Sequence, residues 1–322
     1  MSIHFYPNEQ DVVNALTSGN IDSVSEISSQ QAAKIASSTP SARILSTPLP
    51  RIFAIFMNQN NTVLSNKEVR QALNLGVDKD RLVKTVLGGY GVRIDGPLPY
   101  SVSTNAATTT KSSDGKAAAR ALLEKNNWGM GTDGIYAKKD KKGQLTSQRL
   151  AFTIATADSA DLKQTAYFVQ KEWKLIGADV TVKVFESNDL TQDIIRNRKY
   201  DALLFGEVIG KGLDLYAFWH SSQRNAPGLN LSMYVNSKTD KLLDDARVAT
   251  DESVRNQKYA DFQKIIQDDA PATFLYSPDF IYVVPDKVKG LSLGQVTAAQ
   301  DRWSDVSKWY TNTDNVWKIF KN

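Results

Sequence analysis

The chain contains no cysteine among its 322 residues, which excludes disulfides, thiol nucleophiles and thiolate metal sites. Histidine is almost as scarce: His4 and His220 stand far apart and without HExxH spacing, so no histidine-rich metal centre is expected. Acyl transfer would need one of them beside a serine and a carboxylate, and no GxSxG elbow occurs. No apolar run approaches the roughly 18 residues that cross a bilayer. The start MSIHFYPNEQ has neither the basic flank nor the apolar centre of a signal peptide, so no export signal is expected in this chain. An excess of one charge is missing too. Lys plus Arg (39) against Asp plus Glu (35) leaves +4, dispersed except for a basic turn at Lys138 to Lys142, so no nucleic-acid footprint is expected. No catalytic residue, cofactor or metal is expected on these grounds.

What is present is 41% hydrophobic and 23% charged sequence, long enough for about two domains. Residues 8 to 18 predict a helix capped by Asn8 and stopped at Gly19, and a polar helix near Ser28 to Ala36 follows. Pro40, Pro48 and Pro50 favour extended chain and place a boundary near residue 50. RIFAIFMN, from Arg51, reads as a buried strand. Two apolar stripes, Val69, Ala72, Leu73 and then Leu82, Val83, Val86, Leu87, predict two helices with Asn66 and Asp78 as caps. Gly88 to Pro99 predicts irregular chain leading into a surface loop from Ser101 to Ser113. A helix over Ala117 to Leu123 is expected to bury Ala118, Ala121 and Leu122, and Asp133 to Gly143 to form a hairpin.

The centre of the chain then alternates. The strand Leu150 to Ala155 precedes a helix capped by Asp158 and burying Leu162, Ala166, Val169, Trp173 and Ile176. The period-two strand Asp179 to Phe185, a helix from Asp189 to Arg198 and the strand Ala202 to Phe205 complete a βαβαβ pattern, which predicts parallel neighbours. Helices over Thr239 to Ala249 and Val254 to Gln267 precede an aromatic strand, Thr273 to Val284, interrupted at Pro278 and closed by Pro285. The tail carries Trp303, Trp309, Tyr310 and Trp317.

Gly206 to Tyr234 is the candidate site. In an open parallel sheet ligands sit beyond the carboxyl ends of strands, and this glycine-rich stretch concentrates Glu207, Lys211, Asp214, Trp219, His220 and Asn230 there. Gly206, Gly210 and Gly212 are expected to let the chain leave the strand at sharp angles.

Taken in order, a distributed set of pieces carries a family likeness. It begins with YPNEQDVVNALTSGNID, Phe56-Met57-Asn58, Glu68 to Leu73, Val77-Asp78-Lys79 and Gly88 to Pro99. It continues with Ala121-Leu122-Leu123 before Trp128, Asp133-Gly134, Leu175-Ile176-Gly177 and Tyr200-Asp201. Asp214 to Ser221, Asn230, Tyr234, Pro271 and Lys289-Gly290 complete it. Together they resemble the peptide/nickel (oligopeptide-binding, family 5) class of extracytoplasmic solute-binding proteins of ABC importers. The resemblance implies a two-lobed, periplasmic-binding-protein-like α/β fold, present here as its C-terminal half. By that likeness residues 51 to 285 form one lobe, 1 to 50 and 286 to 322 belong to the first lobe, and hinge crossings lie near 50 and 285. It implies a monomeric extracytoplasmic receptor, not an enzyme, that closes over a peptide or peptide-like solute and delivers it to a membrane permease. A nickel chelate or other non-peptide solute is the alternative within the family, and a truncated lobe with no binding of its own is another.

In peptide-binding members an acidic residue after the corresponding strand pairs with the ligand's α-ammonium. Here that position falls near Ile209-Gly210, and Glu207 is the nearest carboxylate, either ammonium partner or solvated loop residue. Asp214 either caps the turn Leu215 to Trp219 or touches ligand. Trp219 is a packing residue or a ligand platform, and His220 a hydrogen-bonded loop residue or a metal ligand. Asn230 ties loop backbone together or contacts ligand backbone. A hydrolase using Glu207 and Asp214 as paired carboxylates is not selected by their spacing.

Overall fold

The computed structural model describes residues 2–99, 115–209 and 213–312; the expected loop from Ser101 to Ser113, together with Gly210, Lys211, Gly212 and Trp317, lies outside the described residues. Helix α1 (Glu9–Thr17) begins at Asn8, whose side chain accepts from the Asp11 N–H at 2.9 Å. Strand β1 (Val24–Ser25), α2 (Ser29–Ser38) and β2 (Ala42–Pro48) lead to β3 (Arg51–Met57). Of the next two helices, α3 (Lys67–Leu75) and α4 (Lys79–Val86), only the second has its expected side-chain cap: Asp78 accepts from the Arg81 N–H at 2.9 Å. The Asn66 side chain instead turns back to the Thr62 and Val63 carbonyls. The run expected to be irregular contains a short strand, β4 (Gly91–Arg93), so close to its neighbour that a Cβ on Gly91 would stand 2.9 Å from the Ser277 carbonyl.

Helix α5 (Gly115–Lys125) buries Ala119 and Leu123, half-buries Leu122 and exposes Ala118 and Ala121, a face rotated from the expected one. Alanines bury too little area to choose a face, and Leu123, packed toward α3, chooses it. Strands β5 (Trp128–Met130), β6 (Tyr136–Lys139) and β7 (Leu145–Arg149) form an antiparallel meander turning at Asp140 to Gly143. Then come β8 (Ala151–Ala157) and α6 (Ala160–Leu175), with Asp158 paired to Lys163 instead of capping the helix. Strand β9 (Asp179–Phe185), α7 (Ser187–Asp189) with a π-helical stretch Leu190–Ile195, and β10 (Ala202–Val208) complete the alternating region. Helices α8 (Tyr216–Trp219), α9 (Ser237–Val248) and α10 (Glu252–Asp269) precede β11 (Ala272–Pro285), which runs unbroken through Pro278.

Strand β11 belongs to two sheets. Its first part, Ala272 to Tyr276, pairs antiparallel with β3, and its last part, Asp279 to Pro285, pairs with β2, while Tyr282 and Val283 also pair with β1. The chain enters β3 from β2 at the same level, where the Leu49 N–H donates to the Pro278 carbonyl and Ser277 Oγ donates to the Leu49 carbonyl, both at 2.9 Å. The main sheet runs β11-β3-β10-β8-β9. As the βαβαβ pattern predicts, β8 is parallel to β9 and to β10, but β3 is antiparallel to β10 from Ala202 opposite Met57 to Val208 opposite Arg51. That long-range pairing extends β10 from the expected end at Phe205 to Val208. Gly206 and Glu207 are therefore strand residues. Gly206 does not turn the chain; the Phe53 ring covers it, 2.7 Å from where a Cβ would stand.

Alternation along these strands sends side chains to two cores. Ile55, Met57, Ala202, Leu204 and Ile154 face α3 to α6, against Leu73, Leu82, Leu123 and Trp173. Ile52, Ala54, Phe56, Leu203 and Phe274 face α8 to α10, against Trp219, Leu243, Phe262 and Ile266. Each of the larger aliphatic and phenylalanine side chains contributes about 1.5–3 kcal/mol on full burial, so the three layers are held by both faces of one sheet. The smaller sheet of β1, β11 and β2 carries two thinner clusters, around Ile35 and Val283 and around Tyr282 and Val296.

Candidate functional site

The four residues expected at the site do not converge on an open surface. Glu207 is 1% exposed on the α8–α10 side of the sheet, and neither carboxyl oxygen has a hydrogen-bond partner. Burial pushes its pKa well above the ordinary carboxylate value, and the Trp219 indole N–H, near enough to pull it back but without hydrogen-bond geometry, acts in the opposite direction. Trp219, also 1% exposed, packs against Phe56, Phe262 and Phe274 at ring-centroid distances of 6.0, 6.4 and 5.7 Å. Asn230 is fully buried and ties the chain together: its amide donates to the Tyr234 and His220 carbonyls at 2.9 and 3.2 Å and its oxygen accepts from the Tyr234 N–H at 3.1 Å. Asp214 accepts from the Tyr216 N–H at 3.0 Å, a turn just ahead of α8, whose N-cap position is Leu215, and pairs at the surface with Arg247 at 3.2 Å. His220 stacks on Tyr216 and approaches Ser222 Oγ at 2.8 Å.

A cleft of about 660 Å³ opens elsewhere, where β11 changes sheets. It lies between α1 with Ser25 to Ser28 on one side and Ser159 to Leu162 on the other, at the carboxyl end of β8 and the start of α6. Arg51, Phe53, Tyr276 and Asp279 also line it. Tyr276 stacks on Phe53 with centroids 5.2 Å apart and its hydroxyl meets Thr165 Oγ1 at 3.3 Å, which fixes an aromatic wall. Two buried polar atoms in this lining have no partner, Nε of Arg51 and Oδ1 of Asp279. Burial raises the Asp279 pKa against the pull of a Ser46 hydrogen bond. Burial also raises Asp161, the charge of Glu9 adding to it and hydrogen bonds from Ser29 opposing it. The Glu9 carboxylate is itself held by Ser28, whose hydroxyl donates at 3.0 Å and whose backbone N–H donates to the second oxygen. Among the described residues no group of three or more His, Asp and Glu side chains could hold a metal ion.

The profile described as "Bacterial extracellular solute-binding proteins, family 5 Middle" matches residues 1–228. The chain belongs to this family. It is a family of solute-binding proteins, not of enzymes. The oligopeptide-binding protein AppA of Bacillus subtilis (strain 168) is 29% identical over 238 residues, which are 72% of this chain and 42% of that protein. The probable D,D-dipeptide-binding periplasmic protein DdpA of Escherichia coli (strain K12) is 25% identical over 248 residues, covering 76% and 44%. Among solved structures, AppA from Bacillus subtilis in complex with a nonapeptide superposes with a TM-score of 0.74 at 25% identity, over 96% of this chain and 59% of that one. NikA from Brucella suis in complex with Fe(III)-EDTA gives 0.76 at 22% identity, over 95% and 61%, a likeness of fold. The family's periplasmic-binding-protein-like α/β fold is thus present, and the chain spans less than two thirds of the length of these relatives.

Arg51, Asp161 and Asp279 were not singled out from the sequence. Asp161 had a usable signal, since it follows the carboxyl end of the first strand in the βαβαβ pattern. Arg51 and Asp279 had only their closeness to Pro50 and Pro278; their juxtaposition needs the β2–β11–β3 pairing.

Proposed function

We propose that this chain belongs to the solute-binding component of an ABC importer and takes a peptide or peptide-like solute into the cleft where β11 changes sheets. The observation that supports this reading is that two residues lining the cleft hold unpartnered polar atoms, a donor on Arg51 and an acceptor on Asp279, which are closed to solvent here and would become reachable as the lobes part. An extended peptide backbone presents both an acceptor and a donor, and neither atom has another partner among the described residues. The peptide named with the AppA relative favours the same class of solute. The two sheets joined at Leu49–Pro50 and Ser277–Asp279 serve as lobes on a hinge, with residues 2 to 48 and 279 to 312 on one side and the described residues from Arg51 to Tyr276 on the other, so that the second crossing falls ahead of the expected one near 285. Trp219 and Asn230 hold the second lobe in shape behind the cleft, Asp214 bonds the start of α8, and Glu207 lies buried among them without contacting solute. The loaded receptor meets a membrane permease outside the cytoplasm.

Calorimetric titration with a mixed pool of tri- to hexapeptides tests this, run on the chain and repeated with the further sequence that makes its relatives longer. Binding heat that Arg51→Ala and Asp279→Asn both reduce supports the reading. Absence of heat and of any thermal shift in both formats sinks it, and heat with a nickel–histidine complex but not with peptides replaces the solute class.

A further inference from the structure

Two carboxyl groups outside the cleft are almost wholly buried, Glu172 and Glu207, and only the second has no hydrogen-bond partner among the described residues. Glu207 sits one residue from the end of β10, opposite Ile52 of β3, and is 1% exposed with both oxygens unpartnered. The neighbours presented by the surrounding elements are apolar or aromatic: Ile52 from β3, Trp219 from α8, and around that indole Phe262 from α10 and Phe274 from β11. Titratable members of the same cluster are phenols, Tyr200, Tyr234 and Tyr259, all pushed upward chiefly by burial and so neutral through the physiological range. The charged pair Asp214 and Arg247 stands at the surface, about half exposed. Among the described residues no cation bears on Glu207, and an ionised carboxylate without a partner is strongly disfavoured in such surroundings. The neutral acid fits them.

We propose that Glu207 makes the join of β10 to β3 beneath Trp219 proton-dependent: the neutral acid leaves the join closed, and the ionised form, buried without a partner among the described residues, loosens it. The join matters to the cleft. Val208 pairs with Arg51, the Ile209 N–H donates to the Pro50 carbonyl at 2.9 Å, and Arg51 and Phe53 line the cleft. A negative charge placed at Glu207 is therefore transmitted along β3 to the cleft wall, whatever solute the cleft takes.

The sign follows from linkage. Burial raises the folded-state pKa above the ordinary value, so the folded form holds the proton more tightly than the open form. The closed join is favoured most at acid pH and loses ground as pH rises from about 4.5 toward the folded value, by about tenfold in the opening constant per pH unit. Amide exchange of Ile209 and Trp219 in the whole chain, corrected for intrinsic hydroxide catalysis, reads this between pH 5 and 9. Opening that steepens with pH in the wild type and stays flat in Glu207→Gln and Glu207→Leu supports the proposal. The same pH dependence in wild type and in both variants overturns it. If neither variant folds, the carbon resonance of the Glu207 carboxyl in the unsubstituted protein decides. Titration at the ordinary glutamate value overturns the proposal, and a carboxyl that titrates well above it, with the amide exchange of Ile209 rising over the same pH range, upholds it.

Discussion

The two faces of the main sheet bury the same pair of side chains and treat them oppositely. On the α6 side, Glu172 is 1% exposed and Trp173 fully buried. Glu172 accepts from Lys116 Nζ at 2.8 Å, from the Asp78 N–H at 3.2 Å and from the Arg81 guanidinium, and the Trp173 indole donates to the Leu73 carbonyl at 2.8 Å. On the α8 side, Glu207 and Trp219 are equally buried, with unpartnered carboxyl oxygens and indole nitrogen. The difference lies in what covers each face. Helices α3, α4 and α5 bring cations and helix-end backbone to the first pair, whereas aromatic rings from β3, α10 and β11 enclose the second. Burial alone therefore says little about a polar side chain's contribution; the chemistry of the covering layer decides it.

Substitutions on the two faces should separate accordingly. Trp173→Phe loses volume and leaves the Leu73 carbonyl unpaired, and should cost about 3 kcal/mol in urea unfolding. Trp219→Phe removes an indole that has no partner, and a loss as large as that of Trp173→Phe would break the comparison. Glu172→Gln should cost about 2 kcal/mol, because the half-exposed Arg81 loses its charged acceptor but can return to water. Glu207→Leu should do the reverse and stabilise the fold at pH 8 by about 1–2 kcal/mol, relieving an unsatisfied buried group. That gain should shrink as pH falls and level off below about 4.5, where the wild-type acid becomes protonated folded and unfolded alike; thermal midpoints across this range check the sign. The smallest contrast concerns two aspartates that both accept backbone N–H groups at helix starts. Asp78→Ala should cost about 1 kcal/mol and Asp214→Ala about half that, since α8 is a single turn and the Arg247 pair is exposed.

Much of the fold is legible because its signals are local. Asn8 and Asp78 cap helices through their own next turn, and Val180, Val182 and Val184 alternate because the strand pleat does. The family likeness is also a sequence property, spread over most of the chain. Where local signals are weak the reading slips, as in α5, whose alanines leave the buried face to be chosen by packing. It slips again at Asn66, where two backbone carbonyls compete for a side chain expected to cap.

The candidate site shows the sharper limit. Asp214 as a helix-start acceptor and Asn230 as a backbone tie were both readings open to the sequence, and the structure shows those bonds. Glu207 looked like a loop carboxylate because nothing near it in the chain says otherwise. Its burial comes from β3, some 150 residues earlier, which pairs with β10 and draws Gly206 to Val208 out of the loop and into the sheet.

The sequence by itself determined most of the helices and the strands with a clear pattern, the absence of thiol chemistry and the family, since each depends on residue types and their spacing along the chain. Only the tertiary structure decided that β11 serves two sheets, that Arg51 and Asp279 face one cleft, and that Glu172 is satisfied while Glu207 is not. The physical reason is that hydrogen-bond satisfaction and solvent access belong to neighbours in space, and here those neighbours come from segments far apart in the chain.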